Sequence, residues 1–410
     1  MYSTAKALNR QNRQATRMYS TEAMFATRFV LNPLITDLQT PVPNRTAQEF
    51  HTRLPGYAST PLVELPRLAQ SLGVRQILAK DESERLGLPS FKILGAAWAI
   101  YRALSERIAL EPWHTLADLA AQIRPLGPLT FAAATDGNHG RAVAYMARLL
   151  GCSSRIFVPG STSQRYIQAV QAEGSQVIVV DGGYDDAVVA AAGEAADNCL
   201  VICDVAWKGY EAVPQWVIEG YSTIFAEIDA TLGESGQSLP DIIMVQIGVG
   251  ALAAAVVQHY RRAGATSRPR LVGVEPITAA CMLGSIEAGR IASLPGIQDS
   301  MMTGLNCGTP SLVAWPLVSQ GLDLFIAIDD GWSCRSVQDL AAESILTAET
   351  GAAGLAGLSA LLTEPHAAAI RQELGITADT RILVLITEGI SDSSRDPAIG
   401  INPSSFSKAT

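Results

Sequence analysis

Beyond about residue 75 the chain alternates short, almost wholly apolar runs with longer stretches whose apolar residues recur at helical spacing. The short runs predict strands over Gln76–Lys80, Thr130–Ala134, Arg155–Val158, Gln176–Val180, Leu200–Cys203, Asp241–Ile247, Arg270–Val274, Leu324–Ile328 and Arg381–Ile386. The longer ones predict helices that include Lys92–Leu104, Asn138–Leu150, Ala251–Arg262, Ser333–Leu346 and Leu355–Leu362. Apolar strands alternating with helices imply an α/β fold, with parallel sheets covered on both faces. Thr231–Pro240, rich in Gly and Ser, reads as a surface loop or an inter-domain connection, and Ser391–Thr410 as a loosely ordered tail.

At 410 residues the chain exceeds one ordinary core, so two domains are expected. Hydrophobic residues make up 48% and charged residues 17%, as in a soluble globular protein. A formal net charge of −9 without a basic run argues against nucleic-acid binding, which requires Lys and Arg to neutralise phosphates. The longest nearly apolar stretch, Ile242 to Val257, is broken by Gln246 and two glycines and suits a strand, turn and helix rather than a membrane span. Cysteines 152, 199, 203, 281, 307 and 334 form no Cys-x-x-Cys pair and no cluster with histidine, so free thiols and no metal site are expected. Lys6, Arg10, Arg13 and Arg17 precede the first acid, Glu22, which fits either a mitochondrial transit peptide or a disordered extension.

Three segments carry candidate chemistry. Lys92 follows Pro-Ser-Phe and opens an apolar helix; a lysine there is ordinarily a solvated surface residue, but at the mouth of a buried element its ammonium is disfavoured, as Schiff-base chemistry requires. Thr135-Asp-Gly-Asn-His-Gly-Arg141 is a polar turn between strand and helix, where open α/β sheets bind ligands. Plain N-capping by Asp136 or Asn138, with His139 supporting the turn, is the competing explanation. Gln246-Ile-Gly-Val-Gly-Ala251 is a third turn of this kind, and its glycines allow main-chain N–H groups to approach a phosphate. With Glu275 ending the next strand, that unit also suits a dinucleotide-binding fold, so an NAD(P)-dependent oxidoreductase is a rival that leaves Lys92 and the Asp136 turn without a role.

Taken in order, the motifs resemble the diaminopropionate ammonia-lyases, a family of fold-type-II (tryptophan-synthase-β-like) pyridoxal-phosphate enzymes. The likeness runs from about residue 46 to 392, through Phe50-His-Thr-Arg-Leu-Pro-Gly-Tyr-Ala-Ser-Thr-Pro-Leu62, Lys80-Asp-Glu-Ser83, Ser90-Phe-Lys92, the Asp136 turn and Asp204-Val-Ala-Trp-Lys-Gly-Tyr210. It continues in Gly304-Leu-Asn-Cys-Gly308, Glu349-Thr-Gly-Ala352 and Thr387-Glu-Gly389. The resemblance implies two domains, each a mostly parallel sheet flanked by helices: a large one from 26–90 plus 226–410, and a small one from 91–225, after a basic extension at 1–25.

It further implies pyridoxal 5′-phosphate held by Lys92 as a Schiff base. The main-chain N–H groups of Gly248, Val249, Gly250 and Ala251 would cradle its phosphate, Asn138 would bond its ring hydroxyl, and Thr387 would partner its pyridine nitrogen. A neutral hydroxyl at Thr387 would leave that nitrogen unprotonated and favour β-elimination over transamination. The implied substrate is 2,3-diaminopropionate, converted to pyruvate and two ammonia. Lys92 would take the α-proton of the L-isomer, Asp136 that of the D-isomer, and Asp204 would orient or protonate the departing amine. A homodimer in the cytoplasm, or the mitochondrial matrix if the N-terminus targets it there, is implied, with no metal, membrane or nucleic-acid partner.

The chain departs from the family at Lys208, where glutamate is usual, and at Ile390-Ser391-Asp392, where Asp-Thr-Asp is usual. Serine or threonine dehydration, or β-replacement, is the alternative within the same fold, and a non-catalytic binding relative lies further off.

Overall fold

The computed structural model of the protein describes residues 25–390, apart from 43, 44, 136 and 266. The basic extension through residue 24 and the tail from residue 391 therefore lie outside the described residues. Strands β1 (Thr27–Leu31), β2 (Leu62–Glu64), β3 (Gln76–Asp81), β4 (Thr130–Ala134), β5 (Ser153–Pro159) and β6 (Gln176–Val180) are followed by β7 (Cys199–Val201), β8 (Ile242–Gln246), β9 (Arg270–Pro276), β10 (Leu324–Ile328) and β11 (Arg381–Ile386). One sheet runs β1-β10-β9-β8-β11-β3-β2, and a second runs β6-β5-β4-β7. The inner strands pair in parallel, as their unbroken apolar character requires, whereas β1 and β2 join the larger sheet antiparallel at its edges. The smaller sheet is parallel throughout.

Helices cover both sheets. Glu349–Thr363, built of Gly, Ala and Leu, is buried along nearly its whole length; a Cβ at Gly357 would come within 2.5 Å of Val274 Cγ2, so only glycine lets this helix lie so close to the larger sheet. Lys92–Ser105 packs on the 23-residue helix Ala212–Glu234. Their contact is equally tight, since a Cβ at Gly220 would stand 2.5 Å from the Leu94 carbonyl. His51 ties the two helices together, with Nδ1 2.8 Å from Thr223 Oγ1 and Nε2 2.9 Å from the Leu94 carbonyl. Burial holds His51 neutral, with a pKa lowered to about 3.

Below the segment that leads to Lys92 lies a buried charge network. Glu227 on the long helix binds Lys80 Nζ at 2.6 Å and Arg85 at 2.7 Å, and Arg85 also binds Glu82 at 2.6 Å. Thr60 donates to Glu82 at 2.6 Å and Tyr57 to Glu227 at 2.7 Å. The two cations and two carboxylates neutralise one another, which is the condition for keeping them out of water.

Several expectations are corrected. The helix Ala212–Glu234 takes in 231–234, so the predicted loop is four residues shorter at its start. The helix expected at Ser333–Leu346 spans Asp330–Ala342, because the Asp329 side chain accepts the Gly331 N–H at 2.9 Å and starts it earlier. Among the described residues no helix is long and apolar enough to cross a membrane, and no group of His, Cys, Asp and Glu could hold a metal ion. All six cysteines are free; Cys152 and Cys334 are only half-buried.

Candidate active site

The carboxyl ends of parallel strands from both sheets empty into one cleft, the usual ligand position in open α/β folds. Lys92, Asn138, His139, Asp204, Gly248–Ala251 and Thr387 all line it. Residues scattered over most of the sequence are thus gathered at one place.

Lys92 is the first residue of its helix, and the main chain before it is pinned to the end of β11. Phe91 N–H donates to the Thr387 carbonyl at 3.4 Å, Gly389 N–H donates to the Pro89 carbonyl at 3.0 Å, and Ser90 pairs with Glu388 as an isolated bridge. The Lys92 ammonium donates to Asp204 Oδ2 at 2.8 Å. Tyr184 donates its hydroxyl to the other carboxylate oxygen at 3.2 Å. Burial alone would raise the Asp204 pKa, but the Lys92 cation, with the hydrogen bonds from Lys92 and Tyr184, outweighs it and holds the carboxyl well below the usual range. The loop beyond Asp204 is anchored to the glycine turn, since Ala206 N–H donates to Ser311 Oγ at 3.0 Å and Ser311 N–H to the Val249 carbonyl at 2.9 Å.

His139 Nε2 lies 2.8 Å from the Ile202 carbonyl, an acceptor, so Nε2 carries the ring proton. Nδ1 faces Asp204 Oδ2 at 3.9 Å and has no partner among the described residues. Burial lowers the His139 pKa and keeps the ring neutral. Asn138 is not an N-cap: Gly137 holds that position, and the Asn138 amide donates to Glu388 Oε2 at 2.6 Å. Among the described residues its second N–H and its carbonyl oxygen meet no partner and remain for a ligand group. Asp136 lies outside the described residues.

The glycine turn has the chemistry of an anion cradle. Among the described residues the N–H groups of Gly248, Val249 and Gly250 donate to no protein acceptor, and Ala251 opens a helix whose first N–H groups have no intrahelical partner. Gly250 has φ +101°, and a Cβ there would stand 2.7 Å from Met282 Cε. Four amides at a helix start, facing a cleft with a lysine, fit a phosphorylated aldehyde. Gly250→Ala is expected to weaken pyridoxal-phosphate uptake by the apoprotein about tenfold or more and to cost about 1–3 kcal/mol of stability. A fluorescence titration alongside urea unfolding checks both.

Glu275 does not serve the dinucleotide rival. Its carboxyl, fully buried and so out of reach of a ribose, accepts the N–H groups of Met282 and Leu283, both at 2.8 Å, capping the helix Cys281–Ala288. Burial raises its pKa to about 8, against the pull of those two N–H groups. Lys208 and Ile390, the two departures, are not among the residues that line the cleft. Sequence patterns gave no signal for Tyr166, Tyr184 or Thr303, which also line it and line an adjoining pocket with Asp185, Asp186 and Asp299.

Comparison with known proteins follows the same lines. Residues 53–388 match the family described as "Pyridoxal-phosphate dependent enzyme". The chain is 34% identical, over 85% of its length and 88% of the relative's, to the diaminopropionate ammonia-lyase of Escherichia coli strain K12. It is 28% identical to the biosynthetic L-threonine dehydratase of Corynebacterium glutamicum, over 75% of this chain and 65% of that one. The crystal structure of the Escherichia coli diaminopropionate ammonia-lyase in complex with D-serine superposes with a TM-score of 0.84 at 31% identity, covering 92% of this chain and 97% of that one.

Proposed function

Because the chain belongs to the pyridoxal-phosphate dependent enzymes, we propose that it is an ammonia-lyase that converts 2,3-diaminopropionate and water to pyruvate and two ammonia. The observation that carries the diamino substrate is Asp204: a buried carboxylate, its pKa held below the usual range, that already accepts a hydrogen bond from an ammonium at 2.8 Å. A site built this way prefers a β-ammonium to the β-hydroxyl of serine. Asp185, Asp186 and Asp299 in the adjoining pocket favour a cationic substrate too. The proposal extends to a large domain (26–90 with 226–410), a small one (91–225) and a homodimer.

The residues divide the work as follows. The amides of Gly248–Ala251 would hold the cofactor phosphate, Lys92 Nζ would bond its aldehyde carbon, and Asn138 and Thr387 would serve its ring hydroxyl and its pyridine nitrogen. Bound there, pyridoxal phosphate supplies an electron-withdrawing ring that acidifies the α-hydrogen of an attached amino acid. Lys92 Nζ would accept that proton from the L-isomer. Asp204 holds the β-nitrogen as an ammonium, the form in which it departs as ammonia. Phe91, Val249, Leu252 and Leu305 give the cleft apolar walls that limit water. The released three-carbon enamine then hydrolyses to pyruvate and the second ammonia. Asp136 supplies the base for the D-isomer.

A substrate panel tests this. Diaminopropionate is expected to yield two ammonia per pyruvate and to outrun serine and threonine; faster turnover of serine would replace this reading with a dehydratase, to which the threonine dehydratase likeness points. In Asp136→Asn, D-isomer turnover is expected to fall about 10²-fold or more with the L-isomer largely spared. Equal losses on both isomers would remove the special role of Asp136.

A further inference from the structure

Gln246 ends β8 and is buried, with 3% exposure. Its Nε2 stands 2.9 Å from Thr387 Oγ1, 3.0 Å from the Leu385 carbonyl, and 3.3 Å from the carbonyls of Thr350 and Gly351. Carbonyl oxygens only accept hydrogen bonds. The atom placed among three of them must therefore be the amide nitrogen, since the flipped amide would press Oε1 against all three. Gly354 leaves room for the amide, as a Cβ there would come within 3.2 Å of Gln246 Oε1.

This fixes the polarity of Thr387. Its Oγ1 accepts an N–H from Gln246, and among the described residues it donates to none. A hydroxyl has one proton, and the remaining direction for it is the cleft that Thr387 lines. We propose that Gln246 is a positioning residue that holds the Thr387 hydroxyl as a donor toward the cleft, so that the nitrogen of the bound pyridine ring meets an O–H and stays unprotonated. The inference rests on Thr387 being the partner of that nitrogen. Without Gln246 the hydroxyl can turn its proton to a neighbouring carbonyl and offer a lone pair to the ring, which favours a protonated nitrogen.

A double-mutant cycle of Gln246→Met, Thr387→Val and the combined variant tests this, with folding of each apoprotein checked by thermal melting. Three quantities are read: the affinity of the apoprotein for pyridoxal phosphate, the pH dependence of the visible band of the holoprotein, and the fraction of turnovers that leave the amino group on the cofactor. Gln246→Met is expected to weaken affinity about tenfold, the scale of one buried hydrogen bond. It is also expected to shift the pH midpoint of the visible band and to raise the retained-amino fraction. The combined variant is expected to match Thr387→Val alone, because Gln246 acts through that hydroxyl. Multiplying losses, or an unchanged pH profile in Gln246→Met beside an altered one in Thr387→Val, overturn the inference and leave Thr387 in place. If Thr387→Val alters none of the three quantities, Thr387 is not the ring partner, and both readings fall. Should Gln246→Met melt below the assay temperature, Gln246→Leu, which also has no donor, enters the cycle under the same criteria.

Discussion

Lys92→Ala is expected to lower kcat/KM on diaminopropionate at least about 10³-fold, because one substitution removes both the covalent anchor and the base. Borohydride should fix the chromophore covalently in the wild type and not in the variant. The ammonium of Lys92 donates to Asp204 at 2.8 Å, so its loss strands a buried carboxylate. Removing one partner of a buried pair typically costs about 3–5 kcal/mol, less if the survivor takes up a proton. The combined Lys92→Ala, Asp204→Asn variant removes the stranded charge, and is expected to recover stability in urea unfolding while staying inactive. A variant Lys92→Ala that keeps turnover near the wild-type rate would refute the assignment of the lysine.

Glu227→Gln is expected to cost about 3–5 kcal/mol, with unfolding in urea as the measurement. Glu227 binds Lys80 at 2.6 Å and Arg85 at 2.7 Å, with side chains at most 2% exposed; without its charge, two buried cations face Glu82 alone. The pH dependence follows from the same carboxylate. Burial would raise its pKa, but hydrogen bonds and charge from Arg85 and Lys80 prevail and lower it to about 2 in the folded protein, against 4.5 as the ordinary value. Its stabilising contribution is therefore full above about pH 4.5 and fades as pH falls toward 2. The wild type should lose stability across that window, and the variant should be flatter there. Since Lys80, Glu82 and Arg85 begin the segment that ends at Lys92, cofactor uptake by Glu227→Gln should weaken as well. Unchanged stability and uptake would show that the network positions nothing.

Much of the fold follows from local pattern. Thr130–Ala134, Gln176–Val180, Leu324–Ile328 and Arg381–Ile386 form strands at their expected bounds, and Asn138–Leu150 a helix at its own, because a buried parallel strand and an amphipathic helix leave strong local signatures. Ala212–Glu234 leaves a weak one: it packs against several elements and buries residues around much of its circumference, so no single apolar stripe marks it. β1 is an edge strand whose identity comes from an antiparallel partner far away in sequence, Thr27–Leu31 pairing with Leu324–Ile328, and β2 is a short edge strand that pairs antiparallel with the nearby β3.

The sequence by itself determined the alternation that makes the fold α/β, the lysine at a helix start, and the glycine turn able to receive a phosphate. Only the tertiary structure decided which of these act together. Lys92 and Asp204 are 112 positions apart, and Gln246 and Thr387 are 141 apart, yet each pair is joined by a hydrogen bond shorter than 3 Å. A hydrogen bond depends on distance and direction in space, to a few tenths of an ångström. Chain order carries neither until packing has brought the strand ends together.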